Sequence, residues 1–307
     1  MRSIAWKQAS RTFGRNRAIL LLSLPGVLFL LVFAYLPMVG VVLAFKDYYP
    51  IKGIWASEWI GFKNFAFFFQ SQDAYRVTRN TIGINLLFIA TTLFISVSFA
   101  LMLNELRNKA KVYLVLMFIP FFVSWVVASY ILYAFLNTDL GVLNHLLTGF
   151  GLQPVQWYAH PRYWVAILAI CHIWKATGYA TIIYYTGLIG IDQTYYEAAA
   201  IDGASKWRQM TRISIPLLVP LMTLLVLVQV GHVIRSDFGM FYFLTKDSTA
   251  LYPVTDVIDT YVFRALRVTG DIGMATAAGL YQSAVGFVLV LVTNAVVKKI
   301  NRDNAVF

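Results

Sequence analysis

The sequence predicts an all-α membrane protein with six transmembrane helices, and three observations carry that prediction. Of its 307 residues, 59% are hydrophobic and only 13% are charged, against the roughly 25% that coats an ordinary soluble domain. The apolar residues are gathered into blocks about 20 residues long, enough to cross hydrocarbon at about 1.5 Å per residue. The blocks also lack the short alternation of a membrane barrel, so each must satisfy its own backbone hydrogen bonds, as a helix does.

In chain order the blocks are 20–44, 81–103, 112–136, 165–189, 216–234 and 275–297. The first follows Arg2, Lys7, Arg11, Arg15 and Arg17, as a signal peptide would, but it is too long and no small-residue cleavage site follows. It therefore reads as a retained helix. The fifth is only just long enough to span. No internal repeat or low-complexity linker divides the blocks, so residues 20–297 form one membrane domain. Before it, residues 1–19 read as an interfacial segment on the inner leaflet, with Ile4, Trp6 and Phe13 among basic residues. Residues 298–307 form a tail. With the N-terminus inside, the inner segments hold about 14 Lys and Arg in about 64 positions and the outer loops about 10 in roughly 100. That bias places both termini in the cytoplasm, although Lys46, Lys52, Lys63, Arg76 and Arg79 in the first outer loop run against it.

The connections are unequal. Residues 104–111 make a tight inner hairpin, whereas the outer loops 45–80, 137–164 and 235–274 are long enough to carry structure. In the last of these, Thr255 or Asp256 is placed to cap a helix in which Val257, Ile258, Tyr261, Val262, Ala265 and Leu266 recur at helical spacing. Its apolar face suits the bundle, the membrane interface or a partner protein. The net charge of +11 is concentrated beside spans, where anionic lipid rather than nucleic acid is the partner. Cys171, the single cysteine, reads as a small packing residue, and His145 and His160 lack the spacing of a zinc site.

The inner loop 190–215 is far longer than the roughly 2–8 residues that join two helices. Within it Glu197 to Ile201 favours helix, Gly203 suits a sharp turn at positive φ, a second helical stretch covers 205–212, and Pro216 can open the next span. Small Ala198, Ala199 and Ala204 permit close approach of another surface. Glu197 and Asp202 offer acceptors to a basic partner, and Trp207 and Met210 are apolar anchors. The product is a helix–turn–helix knob built for docking.

That stretch, EAAAIDGASKWRQMTRISIPLLVP, resembles the EAA motif of permease subunits of binding-protein-dependent ABC importers. The resemblance extends over nearly the whole chain. LPGVLFLLVFAYLPMVGVVLAFKDYYPIKGI, the pair Asn80 and Thr81, SDFGMFYFLT and GDIGMATAAGLYQSAVGFVLV are similar to the carbohydrate-uptake branch, and within it to oligosaccharide and polysaccharide permeases, a group that includes the alginate importer. It implies the type I ABC importer permease fold, with a cytoplasmic coupling helix near Gly203. Glu197, Ala198, Ala199, Asp202, Gly203, Ala204 and Trp207 would then engage an ATPase subunit. It also implies a second homologous permease subunit, two cytoplasmic ATP-binding subunits that hold ATP and Mg, an extracytoplasmic sugar-binding protein, and no cofactor in this chain. The chain carries no GxxxxGK[ST] string, so it is not itself the ATPase and not an enzyme.

Polar groups in hydrocarbon are costly unless they face a cavity or another helix. The fourth span offers His172, Trp174, Lys175, Tyr179, Tyr184 and Tyr185, and the fifth offers Gln229, His232, Arg235 and Asp237. Of these, Trp174, Lys175, Tyr179, Gln229, His232, Arg235 and Asp237 are the candidates for the substrate pathway, since aromatic faces beside hydrogen-bonding groups suit a sugar. The structural alternatives are interface aromatics, an Arg235–Asp237 pair, and a Lys175 that pairs with an acidic residue of a partner subunit. A secondary transporter working alone is the competing function. It would be expected to show repeated halves and intramembrane carboxylates, whereas this sequence has no evident repeat and its spans hold almost no Asp or Glu.

Overall fold

The computed structural model of the protein describes residues 16–106 and 109–300. The expected interfacial features Ile4, Trp6 and Phe13 and the tail from 301 lie outside the described residues. Among the described residues, five helices are long and apolar enough to span a membrane, and a sixth candidate is broken. Contacts divide the chain into two compact units, residues up to 67 with 271–280, and residues 68–270 with those from 281 onward.

In the first unit, α1 (Arg17–Phe45) changes its winding on the way, from α-helix through a π segment at Leu31–Tyr35 to a 3-10 coil at Leu36–Phe45. Pro37 lacks an N–H and crowds the carbonyl four residues back, which accounts for the rewinding there. Nearly every α1 side chain before residue 40 is exposed, on an apolar surface that water does not cover favourably. A short hairpin follows, β1 (Lys46–Asp47) pairing antiparallel with β2 (Glu58–Trp59). Lys46 Nζ donates to the carbonyls of Ile54 (2.9 Å) and Trp55 (3.0 Å), and Asn64 donates to Ala44 and Lys46.

In the second unit, α2 (Gln72–Leu106) has 35 residues and is about 52 Å long, against a hydrocarbon thickness of about 30 Å. It begins nine residues before the expected block, within what reads as the first outer loop. The extension is polar, so hydropathy misses it. Ser71 Oγ accepts the Ala74 N–H, Asp73 sits in the first turn, and Arg76, Arg79 and Asn80 bind groups of the 247–256 loop.

The third block is not one straight helix. α3 (Ala110–Phe122) and α4 (Trp125–Leu136) meet at 97°. Pro120 removes a donor, Val123 and Ser124 are extended, and Ser124 Oγ caps α4 by accepting from Val127 N. α5 (Val142–Gly149) and the long α6 (Trp164–Ile189) follow. α7 (Gln193–Ile201) leads into α8 (Lys206–Gly231), which runs without a break from the 190–215 loop through the fifth span. The expected second helix of the knob is therefore the first turns of that span. A π turn at Met210–Ser214 precedes Pro216, and it gives room around a residue that cannot donate to the ladder. α9 (Phe238–Leu244), α10 (Ile258–Thr269) and α11 (Ile272–Ile300) complete the order.

Neither Thr255 nor Asp256 caps α10. Thr260 Oγ1 accepts the Val257 N–H (3.1 Å), while the buried Asp256 carboxylate is taken by Arg76 (3.2 Å), Arg264 (2.5 Å) and the Thr260 hydroxyl (2.9 Å). The apolar start of α10 faces the bundle, with Val257 and Ile258 fully buried. A core of Phe88, Trp164, Leu168, Met240, Phe241 and Leu244 joins α2, α6 and α9. At the other end of the bundle Val97, Leu101, Tyr184, Leu188 and Leu218 join α2, α6 and α8. Gly178 of α6 lies against the Met117 backbone of α3, a small residue admitting close approach of two helices.

Candidate functional site

The fifth span stops early. α8 ends at Gly231, where its backbone is pressed against α11: a Cβ on Gly286 would lie 2.5 Å from the Gly231 oxygen, and one on Gly231 would lie 2.4 Å from Val290 Cγ2. Residues 232–236 are unwound, and α9 restarts with Asp237 as its cap, Oδ1 accepting the Met240 N–H at 3.3 Å. Unwound backbone within a bundle needs partners, and three side chains supply them. Asn85 donates to the carbonyls of Val233 (2.8 Å) and Arg235 (2.9 Å) and to Ser236 Oγ, Gln282 donates to the Ile234 carbonyl (2.9 Å), and Asp259 accepts the Ser236 N–H (2.8 Å). Burial pushes the Asp259 carboxyl up, opposed by the Ser236 N–H and the Gln282 amide.

Beside this segment lies a cavity of about 350 Å³ between α2, the α3–α4 break, α6 and α8. Lys175, Gln229, His232, Arg235 and Asp237, all expected from the sequence, line it together with His172. Trp174 and Tyr179 do not. Trp174 lines a separate apolar recess of about 300 Å³ with Ile131, Phe135 and Cys171, and Tyr179 stacks on Phe121 at 5.0 Å, one turn along the helix. On a helix a neighbour is about 100° away, so Trp174 and Lys175 face different spaces. Sequence reasoning missed Asn85, Phe88 and Trp125, which also line the cavity. Phe88 stacks on His172 at 4.1 Å. Asn85 carries a signal, an amide within an apolar block, whereas Phe88 and Trp125 are aromatics in apolar runs and carry none.

The charged groups are held in specific ways. Lys175 Nζ donates to the carbonyls of Phe121 (2.7 Å) and Val123, two of those freed where the third span breaks, and lies 5.3 Å over the Trp125 ring. A cation at the C-terminal end of α3 satisfies orphan carbonyls and complements the helix dipole. Asp237 accepts from Trp125 Nε1 at 2.5 Å, and Arg235 donates to Ser283 Oγ at 3.3 Å. Among the described residues no ion pair joins Arg235 to Asp237. Lys175→Met is expected to leave the two carbonyls without their cation, at about 1–3 kcal/mol. The lowered melting midpoint of the purified protein checks this, and an unchanged midpoint would show that water replaces the ammonium at no cost.

At the opposite end of the bundle, Asp192 caps α7, accepting the Thr194 N–H at 3.0 Å, which holds its carboxyl below the usual carboxylate range. Gly203 has φ +76°, and the Ala204 N–H reaches back to the Ala199 carbonyl at 2.8 Å, closing a left-handed C-cap. Ser205 then caps α8, Gln209 donates to the Ala204 carbonyl, and the Tyr196 hydroxyl meets Ser214 Oγ at 2.9 Å. The turn is thereby rigid. Glu197, Ala198 and Asp202 are exposed, Ala199 and Ala204 half-buried, and Trp207 is 72% exposed. Ile201, which the sequence reading passed over, is 87% exposed beside them. Two large apolar side chains therefore stand free on a polar turn that its own hydrogen bonds hold.

Residues 110–302, which hold the α3–α4 break, the knob and the unwound segment, match the family of binding-protein-dependent transport system inner membrane components. The chain belongs to this family. The chain is 33% identical to the protein LplB of Bacillus subtilis (strain 168) over 98% of this chain and 94% of that one. It is 32% identical to the polygalacturonan/rhamnogalacturonan transport system permease protein YteP of the same organism, over 94% of this chain and 90% of that one. Among solved structures it is similar to a chain of a bacterial alginate ABC transporter in complex with an alginate pentasaccharide-bound periplasmic protein. There the TM-score is 0.85 and the identity 30%, over 94% of this chain and 97% of that one. The chain is thus an integral membrane permease with the ABC importer permease fold, acting with a binding protein, and the resemblance carried by the EAA stretch is borne out. Nothing in these matches supports a transporter working alone.

Proposed function

We propose that this permease passes an acidic oligosaccharide from an extracytoplasmic binding protein to the cytoplasm, driven by ATP hydrolysis in partner subunits. The observation that carries the reading is the cavity. Phe88 and Trp125 offer ring faces to the C–H surface of a sugar, Gln229 and His232 offer hydrogen bonds to its hydroxyls, and two cations, Lys175 and Arg235, stand against one carboxylate, Asp237. A carboxylated sugar complements that balance. The names of YteP, a polygalacturonan/rhamnogalacturonan permease, and of a bacterial ABC transporter involved in the import of the acidic polysaccharide alginate support the same class.

In this reading the knob around Gly203, with Glu197, Ala198, Asp202, Ile201 and Trp207, seats in a groove of a cytoplasmic ATP-binding subunit. Two such subunits bind ATP and Mg, a second homologous permease completes the pathway, this chain itself holds no cofactor, and both termini lie in the cytoplasm of the bacterial cell. ATP and the loaded binding protein drive the change of access by favouring one conformation over the other. Gly203→Val forces a β-branched residue into the left-handed region at about 1–2 kcal/mol and deforms the turn on which Ile201 and Trp207 stand. The test is the complex in proteoliposomes with loaded binding protein and a panel of neutral and uronate oligosaccharides. Uronate cargo is expected to stimulate ATP hydrolysis and uptake, with Gly203→Val inserted normally but importing far less cargo per ATP. Stimulation by neutral sugars alone would refute the acidic class, and normal uptake in Gly203→Val would refute the coupling role.

A further inference from the structure

The unwound segment 232–236 is held from three sides, and one hold comes from a helix outside the spans. Asp259 of α10 uses one oxygen, Oδ2, to accept the Ser236 N–H at 2.8 Å and the Gln282 amide at 3.2 Å, and the same Gln282 nitrogen reaches the Ile234 carbonyl at 2.9 Å. Ser236 lies between Arg235 and Asp237, whose side chains line the cavity. α10 is itself fixed at its foot, where Ile258 is fully buried and its N–H donates to Thr81 Oγ1 at 3.0 Å, while toward its far end Val268 is 81% exposed. A buried carboxylate is costly. For packing alone an apolar residue would serve. A carboxylate that gathers two donors from the cavity frame is stronger than a neutral acceptor, and the positive charge of Arg235 acts on it favourably.

We propose that Asp259 is a positioning residue for the cargo cavity, tying the seating of α10 to the placement of Arg235 and Asp237. Because α10 lies among the long loops at the end opposite the knob, displacement of its exposed end would loosen the cavity frame without touching the cargo. The role as cargo positioner rests on the reading of the cavity given above. The tie itself is independent of that reading.

The test uses the assembled complex in lipid with Asp259→Ala and Asp259→Asn, the asparagine keeping an oxygen acceptor. Hydrogen exchange of residues 232–237 is expected to rise by about tenfold in Asp259→Ala, the factor given by losing one charge-assisted hydrogen bond, and to rise less in Asp259→Asn, which keeps the acceptor without its charge. Uronate oligosaccharide imported per ATP should fall about fivefold or more in the alanine variant and recover in part in the asparagine variant, with ATP hydrolysis stimulated by the loaded binding protein retained. Unchanged exchange in Asp259→Ala would overturn the tie. Raised exchange with unchanged import per ATP, or equal loss of ATP hydrolysis and import, would overturn the positioning role. A wild-type complex that imports no carbohydrate would overturn the functional reading, while the exchange measurement, which needs no cargo, would still decide whether Asp259 holds the segment.

Discussion

Gly178→Ala is expected to destabilise the folded permease by about 3 kcal/mol or more, beyond ordinary overpacking. A Cβ at this position would lie 1.8 Å from the Met117 carbonyl oxygen and 2.4 Å from its carbon. Both are backbone atoms of α3, so no side chain can swing aside, and the helices must separate. Separation also withdraws the Phe121 and Val123 carbonyls from Lys175, one turn away on α6. Gly187 on the same helix is the control, because a Cβ there meets side-chain carbons of Leu221 (2.8 Å) and Leu218 (3.1 Å), which can rotate. Thermal unfolding of the two alanine variants in nanodiscs should show a large drop for Gly178→Ala and a small one for Gly187→Ala. Equal melting points would mean that α3 and α6 do not approach as closely as described.

The second large effect is expected at Asp256. Its side chain is fully buried between Arg76 and Arg264, with Asp73 bonded to Arg76 (2.8 Å) and Asp247 to Arg264 (3.1 Å). Asp256→Ala leaves two guanidinium groups converging on an empty position, and breaking a buried ion pair by removing one partner costs about 3–5 kcal/mol. Much of that cost is the stranded charge. Asp256→Ala/Arg264→Ala should therefore be less destabilised than the sum of the single variants, as a double-mutant cycle reads it. A melting point for Asp256→Ala within a degree or two of wild type would show that Asp73 and Asp247 suffice to neutralise the cluster.

The six apolar blocks were legible because hydropathy reports where lipid must be, and the fourth block falls within a residue of α6 (Trp164–Ile189). What hydropathy cannot report is direction. Phe121, Phe122 and Val123 are as apolar as a straight span would require, yet the chain turns by 97° there; Pro120 and Ser124 were the local signals. It also cannot see helix where side chains are polar, which is why residues 72–80 read as loop. In the cavity, Lys175, Gln229, His232, Arg235 and Asp237 stood out as polar groups in apolar runs. Trp174 lines the other recess instead, because its polarity says nothing about which side of α6 it occupies. Nothing in the sequence pairs Asp259 with Ser236, a contact made by tertiary structure alone.

One rod joins all of these places. Along α2, Arg76 enters the Asp256 cluster, Thr81 receives the foot of α10, Asn85 holds the unwound segment, the Ser96 hydroxyl donates to the Thr177 carbonyl, and Glu105 pairs with Lys206 at the base of the knob. The helix therefore acts as a ruler with both a length and a phase. Inserting one residue between Thr81 and Ser96 would rotate everything beyond it by about 100° and advance it by about 1.5 Å, turning attachments on one side of the insertion away from their partners. Seven residues, close to two turns, would nearly restore the phase but displace the far marks by about 10 Å. Side chains on this rod can be exchanged one at a time, but its count of residues cannot drift, because loop cluster, cavity and knob are all read off the same scale.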